Sequence, residues 1–417
     1  MKAEILSIGS ELVSGQNLDT NSRWLSQKLS ELGIPIVFHT TVGDDLDDNV
    51  HAVKAALDRA ELVLVTGGLG PTQDDLTREV LAKVADVKLV EDAVSLVHIR
   101  TLFQNRNREM PERNRVQALL PEGAEALANP TGTAPGVWLT LGVKHIAAMP
   151  GVPSEMTRMF DEQVKPRLLA RGLGTGVTLE RRIHCFGAGE SAIEEKVVDF
   201  TKRGHVPEVG ITVSDATVTL RIRATAATHA EAEEQIAPVA TAIRERLGDF
   251  VFGCDDEELH NVAVRLLKEN NLTVATAESI TAGLLAHRLS SVPGVSVHLH
   301  GGVVVYCDDA KCQQLDVPSA LIEKYTAVSE PVAIAMAEGV RKKFGTDIGL
   351  ATTGYAGPDG GTDGTPVGTV YVAVATAKET RVQKFIWGGT RGEIQSRTAK
   401  LALNLLRLRL ESVKIES

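Results

Sequence analysis

Two groups of residues in this 417-residue chain have the types and spacing to do chemistry. The first is the run Thr66-Gly67-Gly68-Leu69-Gly70-Pro71-Thr72-Gln73-Asp74-Asp75, which follows the apolar stretch 62–65 and leads into a helical pattern. Three glycines let a backbone approach a ligand closely, and N–H groups at a helix start can point at phosphate oxygens. Asp74 and Asp75 would repel a phosphate unless a cation lies between or one of them is a base. The run therefore reads as phosphate chemistry, against the plainer alternative of a turn whose Thr72 or Asp74 caps the helix. It is not Gly-x-Gly-x-x-Gly, and no Gly-x-x-x-x-Gly-Lys-Ser/Thr occurs, which excludes a dinucleotide fingerprint and a Walker loop.

The second group is Ser279, within Ala277-Glu278-Ser279-Ile280-Thr281-Ala282-Gly283, with Tyr306 and Lys311 downstream. A serine at a strand-to-helix turn is a nucleophile when a base is near, and no histidine stands in a comparable motif. A partly buried lysine can take a serine proton, as Ser-Lys enzymes require, so Lys311 is the candidate base and Tyr306 the relay. Backbone N–H groups of the turn would stabilise an oxyanion. Taken singly, the same residues also read as an N-cap, a surface charge and a core tyrosine. Cys307 and Cys312 near His298 and His300 match no common zinc spacing, and His298-Leu299-His300 reads as strand alternation.

The elements that must position these groups alternate strand and helix. Residues 5–8 and 62–65 read as strands, residues 20–32 as a helix stopped by Gly33, and a second helix carries Val50, Val53 and Leu57. This βαβ alternation implies a parallel sheet covered on both faces, with ligands at the carboxyl ends of strands. Gly9-Ser10-Glu11 and Thr66-Gly67-Gly68 lie at such ends and can face one site. Asn129 to Gly136 and Met149 to Met156 are loop chemistry beside strands, and the polar segment 100–115 is either a solvated helix face or a phosphate holder. Residues 170–176 read as a linker, 178–251 as a small α+β module, and 255–417 as a second βα region with its own glycine-rich loop at 353–361.

At roughly 150 residues per domain the length corresponds to about three domains. Hydrophobic residues at 43% and charged residues at 24% are those of a globular protein, with aliphatic cores because aromatics are only 4%. A net charge of −10 argues against bulk nucleic-acid or anionic-membrane binding and favours small phosphorylated ligands. Four cysteines, the absence of an 18-residue apolar run and an N-terminus that enters a strand directly lead us to expect a cytoplasmic protein without membrane partners.

Together these motifs resemble the CinA family, the competence/damage-inducible proteins. The likeness rests on Ile8-Gly9-Ser10-Glu11-Leu12, Gly15-Gln16-Asn17-Leu18-Asp19-Thr20-Asn21, the glycine turn with Asp74-Asp75, Pro150 to Met156, and the Ser279 and Lys311 motifs. It implies an α/β protein of three domains. These are an N-terminal three-layer α/β/α molybdopterin-binding-like domain (1–172), a small α+β KH-type domain (173–254), and a C-terminal α/β CinA deamidase domain (255–417). The N-terminal domain is implied to hydrolyse ADP-ribose with a divalent metal held by Asp44 and Asp75, and with Gly9, Ser10, Glu11, Asn21, Thr66, Gly67, Gly68, Gly70, Asp74, Gly132 and Thr133 on the substrate. The C-terminal domain is implied to be a nicotinamide-nucleotide amidohydrolase, converting nicotinamide mononucleotide to the nicotinic acid form and ammonia without a cofactor. Ser279, Tyr306 and Lys311 fall on its catalytic positions, and Thr281, Gly283, Thr353, Gly354, Gly357 and Arg391 on its substrate site. A homodimer is implied as well. The chain departs from the family's Glu-Ser-Cys-Thr-Gly-Gly at Ala282, where a methyl replaces a glycine, and from Tyr-Ser-Asn-Glu-Ala-Lys at Asp308, which adds a negative charge.

Overall fold

The computed structural model describes residues 1–174 and 176–416, with side chains to residue 412; Thr175, within the expected linker, lies outside the described residues. The chain divides into two compact units, residues 1–179 with 224–234, and residues 180–223 with 235–417.

In the first unit β1 (Ala3–Ile8), α1 (Thr20–Glu31), β2 (Ile36–Val42), α2 (Leu46–Arg59) and β3 (Leu62–Thr66) alternate as expected. They are followed by α3 (Thr77–Ala85), α4 (Ala93–Asn105), β4 (Glu125–Leu127), β5 (Gly136–Leu141), β6 (Lys144–Met149) and α5 (Pro153–Met159). The sheet order is β2-β1-β3-β6-β5-β4. Strand β3 is buried throughout, with Leu62 and Leu64 in one core beside Leu25, Leu29 and Phe160, and Val63 and Val65 in another beside Val53, Val80 and Leu81. That period-2 division is why the run lacks polar alternation: both faces are covered by helices.

The expectation of a parallel sheet holds for four strands and is corrected for two. Strands β2, β1, β3 and β6 run parallel, while β5 is antiparallel to β6, and β4 to β5. Two residues, Gly142 and Val143, join β5 to β6, and a two-residue connection can close only a hairpin, since a parallel crossover takes a dozen or more. The segment 100–115 holds the end of α4, a loop over 106–111 and the start of a 3₁₀ helix, Glu112–Ala118.

The second unit begins within β7 (Val177–Phe186), followed by α6 (Glu190–Val197), β8 (Glu208–Ser214), β9 (Thr217–Ala226), α7 (His229–Leu247) and β10 (Val251–Cys254). Their sheet order is β8-β9-β7-β10. Next come α8 (Leu259–Asn270), β11 (Val274–Glu278), α9 (Leu284–Ser290), β12 (Leu299–Val304), α10 (Asp308–Leu315), α11 (Glu330–Phe344), β13 (Ile348–Gly354), β14 (Thr369–Ala375), β15 (Thr380–Ile386) and α12 (Arg391–Glu416). The five-stranded sheet, β12-β11-β13-β14-β15, is parallel on the β12, β11, β13 side and antiparallel beyond it. Among the described residues no helix is long and apolar enough to cross a membrane.

Candidate active sites

In the first unit the carboxyl ends of all four parallel strands converge. Gly9 N–H donates to the Val42 carbonyl at 3.0 Å, and Gly67 N–H to the Met149 carbonyl at 3.1 Å. Ser10 and Asp44 join the loops after β1 and β2 reciprocally: Ser10 N–H donates to Asp44 Oδ2 at 2.8 Å, and Asp44 N–H to Ser10 Oγ at 3.2 Å. The Thr66 hydroxyl donates to the Pro150 carbonyl at 3.2 Å, tying the loops after β3 and β6. Only glycine can occupy position 67, where φ is +105° and a Cβ would lie 2.2 Å from the Ile8 carbonyl oxygen.

Beneath that turn the buried Arg78 donates to the carbonyls of Leu69 at 2.7 Å and Gly70 at 2.8 Å. Burial pulls its guanidinium below its ordinary pKa, against the opposing charges of Glu79 and Asp75. The Asp75 carboxylate accepts from Gly70 N–H at 2.8 Å, Thr72 N–H at 2.8 Å and the Thr72 hydroxyl at 2.5 Å, so both of its oxygens hold the loop. Helix α3 starts only at Thr77, seven residues after Gly70, the last glycine of the turn, because the intervening residues close on Asp75 instead of continuing into helix.

A cavity of about 440 Å³ opens here. Of the expected residues, Gly9, Glu11, Asp44, Gly67, Gly68, Gly70, Thr133, Asp74 and Asp75 line it. Thr66 and Asn21 line a neighbouring cavity of about 430 Å³ that shares Glu11 and Gly151. Asn21 Nδ2 donates to Thr66 Oγ1 at 3.0 Å and to the Gly151 carbonyl at 2.8 Å. Ser10 and Gly132 do not line the first cavity; Ser10 holds Asp44, and Gly132 N–H donates to Asn129 Oδ1 at 2.9 Å. Glu155 and Gln117, outside the expected set, also line the first cavity, and Asn129 Nδ2 donates to Glu155 Oε2 at 2.7 Å. Glu155 lies in the loop run Met149 to Met156, while Gln117 follows the polar segment with no local signal.

Five carboxylates, Glu11, Asp44, Asp74, Asp75 and Glu155, thus face one cavity. Among the described residues, however, no group of three or more His, Cys, Asp or Glu is disposed to hold a metal ion. With both Asp75 oxygens engaged and Asp44 Oδ2 accepting from Ser10, the site does not make a metal centre from protein groups alone.

In the second unit, β11 runs on to Glu278, and the helix expected near residue 279 starts at Leu284. The delay has a backbone cause: Ala282 N–H closes a turn onto the Ser279 carbonyl at 3.2 Å, and Ala282 and Gly283 have φ of +50° and +97°. The alanine therefore occupies the left-handed conformation that the family's glycine would enter without strain. The buried Glu278 carboxylate accepts from Gly283 N–H at 2.9 Å, Leu285 N–H at 3.0 Å, Ala286 N–H at 2.8 Å and the Thr281 hydroxyl at 2.7 Å. Thr281 and Gly283 accordingly build the turn and do not line the cavity beside it.

That cavity, about 260 Å³, is lined by Ser279, Tyr306, Lys311, Thr353, Gly354, Gly357 and Arg391 from the expected set, and also by Asp308 and Asp359. Ser279 is 8% exposed, and Lys311 is 2% exposed with its ammonium 3.3 Å from Asp308 Oδ1. Asp308, expected as an added negative charge, is therefore partly compensated by the lysine. Arg391 donates to the Gly357 carbonyl at 2.5 Å and to the Tyr306 hydroxyl, closing the opposite wall. His298 Nδ1 lies 2.9 Å from the Leu272 carbonyl oxygen.

Sequence models of three families match in tandem: a probable molybdopterin binding domain over residues 4–170, the damage-inducible protein CinA KH domain over 180–253, and the CinA C-terminal domain over 256–410. A CinA-like protein of Dictyoglomus thermophilum is 44% identical over 98% of this chain and 98% of its own, and one of Kosmotoga olearia is 42% identical over the same shares. A crystal structure of the competence damage-inducible protein A of Klebsiella pneumoniae matches 37% of this chain and 98% of its own at 32% identity, with a TM-score of 0.36. The three modules are thus a molybdopterin-binding-like domain, a KH domain and a CinA C-terminal domain. Identity of this extent along almost the whole length makes the chain a member of the CinA family of competence/damage-inducible proteins.

Proposed function

We propose that the chain is a bifunctional hydrolase of pyridine nucleotides, and that its second unit deamidates nicotinamide mononucleotide. The observation that carries this reading is one small cavity that gathers a nearly buried serine, a buried lysine, a tyrosine and an arginine from three separate segments, around 279, 306–311 and 391. Ser279 Oγ attacks the carboxamide carbon, and Lys311, which must act here as the neutral amine, accepts the hydroxyl proton. Glu278 engages the N–H groups of Gly283, Leu285 and Ala286. Of the turn's N–H groups, that of Ile280, which lines the cavity and has no protein acceptor among the described residues, is left for the oxyanion. Collapse expels the amide nitrogen, which leaves as ammonia with the proton from Lys311, and water then hydrolyses the acyl-serine to the carboxylate. Arg391 offers a guanidinium for the substrate phosphate. Ammonia release from nicotinamide mononucleotide is expected from the wild type and to fall at least about 10³-fold in Ser279→Ala and Lys311→Ala. Equal rates in all three would sink the mechanism.

In the first unit the reading is hydrolysis of ADP-ribose. Magnesium is commonly held by one or two carboxylates together with substrate phosphates. Asp44 and Asp75 fit that shared arrangement where they do not fit a protein-only one. A divalent cation so held supplies charge neutralisation at the pyrophosphate and a more acidic water. The glycine turn gives the phosphates close approach, and the Asp75 hydrogen bonds hold that turn in shape. The same engaged carboxylate favours a second reading, a nucleotide- or pterin-holding module. ADP-ribose left intact across Mg²⁺, Mn²⁺ and Co²⁺, yet bound, decides for the holding module.

A further inference from the structure

The hairpin between β8 and β9 ends in Asp215 and Ala216, with φ of +47° and +59°, the two-residue turn in which both residues are left-handed. Its tip does not face solvent alone. Asp215 Oδ2 accepts from the Ser396 hydroxyl at 2.6 Å and lies 3.1 Å from the Lys400 ammonium, which also donates to the Asp215 carbonyl at 3.0 Å and to Thr217 Oγ1 at 3.1 Å. From the other side Arg288 donates to Ser396 Oγ at 2.6 Å and to the Ser396 carbonyl at 3.0 Å. The Asp215 carboxylate is also 3.9 Å from the Arg397 guanidinium and 4.0 Å from that of Arg288. Three cations thus converge on one carboxylate, and Glu393, paired with Arg397 at 3.0 Å, is the other acid on this face of the helix.

Ser396 and Lys400 belong to the first three turns of α12, and the same turns carry the residues that reach the Ser279 cavity. Arg391 holds the Gly357 carbonyl and the Tyr306 hydroxyl, and Gln395 Nε2 donates to the Ile280 carbonyl, next to the nucleophile, at 2.9 Å. We infer that Asp215 is a positioning residue for the Ser279 cavity: the middle module's hairpin latches α12 so that Arg391 and Gln395 hold their places in the site. A helix start has four N–H groups without intrahelical partners and frays readily, so an external clamp on its second and third turns fixes what its first turn presents. The inference rests on reading that cavity as a substrate site.

The test uses the full chain as wild type, Asp215→Asn, Asp215→Ala and Ser396→Ala. Asparagine tolerates the left-handed turn, so Asp215→Asn removes the charge while keeping the hairpin, and Ser396→Ala breaks the latch from the opposite side. Hydrogen exchange in peptides covering 391–400 should speed up in all three variants, while peptides of the first unit keep wild-type rates. KM for nicotinamide mononucleotide should rise about tenfold with kcat changed less than about threefold. Unchanged exchange at 391–400, or faster exchange with KM unmoved, overturns the inference. Failure of the wild type to release ammonia sinks the deamidase reading by itself; the exchange result then decides the latch.

Discussion

Glu278 brings a full negative charge into the core of the second unit and meets it with backbone N–H groups and a hydroxyl, with no cation among its hydrogen-bond partners. This is how a helix start accommodates an anion, except that the anion belongs to the preceding strand and the turn wraps around it. The carboxylate therefore shapes the Ser279 turn without touching a substrate. Glutamine is nearly isosteric, but its amide NH₂ must face N–H donors and its remaining oxygen accepts less strongly. Hydrogen bonds to charged groups contribute about 1.5–3 kcal/mol each, so Glu278→Gln is expected to destabilise the unit by about 3 kcal/mol and to lower ammonia release at least about tenfold. Thermal unfolding beside the ammonia assay checks both, and a variant with wild-type melting and wild-type rate would remove Glu278 from the account. Asp75 shows the same logic in the first unit, where a carboxylate that looks like a base or a ligand in the sequence is found fastening its own loop.

At the scale of elements, short polar clips hold the strands and helices that carry the sites. Asp347, just before β13, accepts from Thr273 N–H at 2.8 Å and the Thr273 hydroxyl at 2.7 Å, and returns its own N–H to that hydroxyl, joining the starts of β11 and β13. In the first unit Asp19 caps α1 by accepting from Ser22 N–H at 2.9 Å and the Ser22 hydroxyl at 2.6 Å. Burial would raise both carboxyls, but these hydrogen bonds outweigh it and hold both below the ordinary aspartate value of 3.8. A group whose folded pKa is depressed stabilises above its unfolded value, and that contribution is lost as pH falls through the folded one. Melting temperature should therefore fall from about pH 4 downward. Asp347→Asn and Asp19→Asn should flatten that acid limb while melting lower than wild type at pH 7. An acid limb of unchanged steepness in both variants would assign the acid loss to other groups.

For the whole molecule, what was legible in the sequence and what was not divides along the range of the interactions. The glycine turn, the strands around it and the Ser279 and Lys311 motifs are local patterns, and they appear at the expected strand ends. The antiparallel β5 is a local pattern as well, since the two-residue spacer Gly142-Val143 can close only a hairpin. Gln117, the engaged oxygens of Asp75 and the latch at Asp215 depend on which distant segment packs beside them. Ser396 lies 181 residues from its aspartate, a distance no periodicity reports. The two cavities, by contrast, sit each in its own compact unit, with its own sheet and its own loops at parallel strand ends. The two linings share no residue, so the losses at the two sites should be independent. Ser279→Ala is expected to leave ADP-ribose hydrolysis within about twofold of wild type, Asp44→Asn to leave ammonia release equally untouched, and the double variant to lose each activity by its single-variant factor. Both activities are measured on one preparation of each full-length variant. A fall of more than about fivefold in the activity whose residues were left intact would mean that one unit's site is completed or controlled by the other.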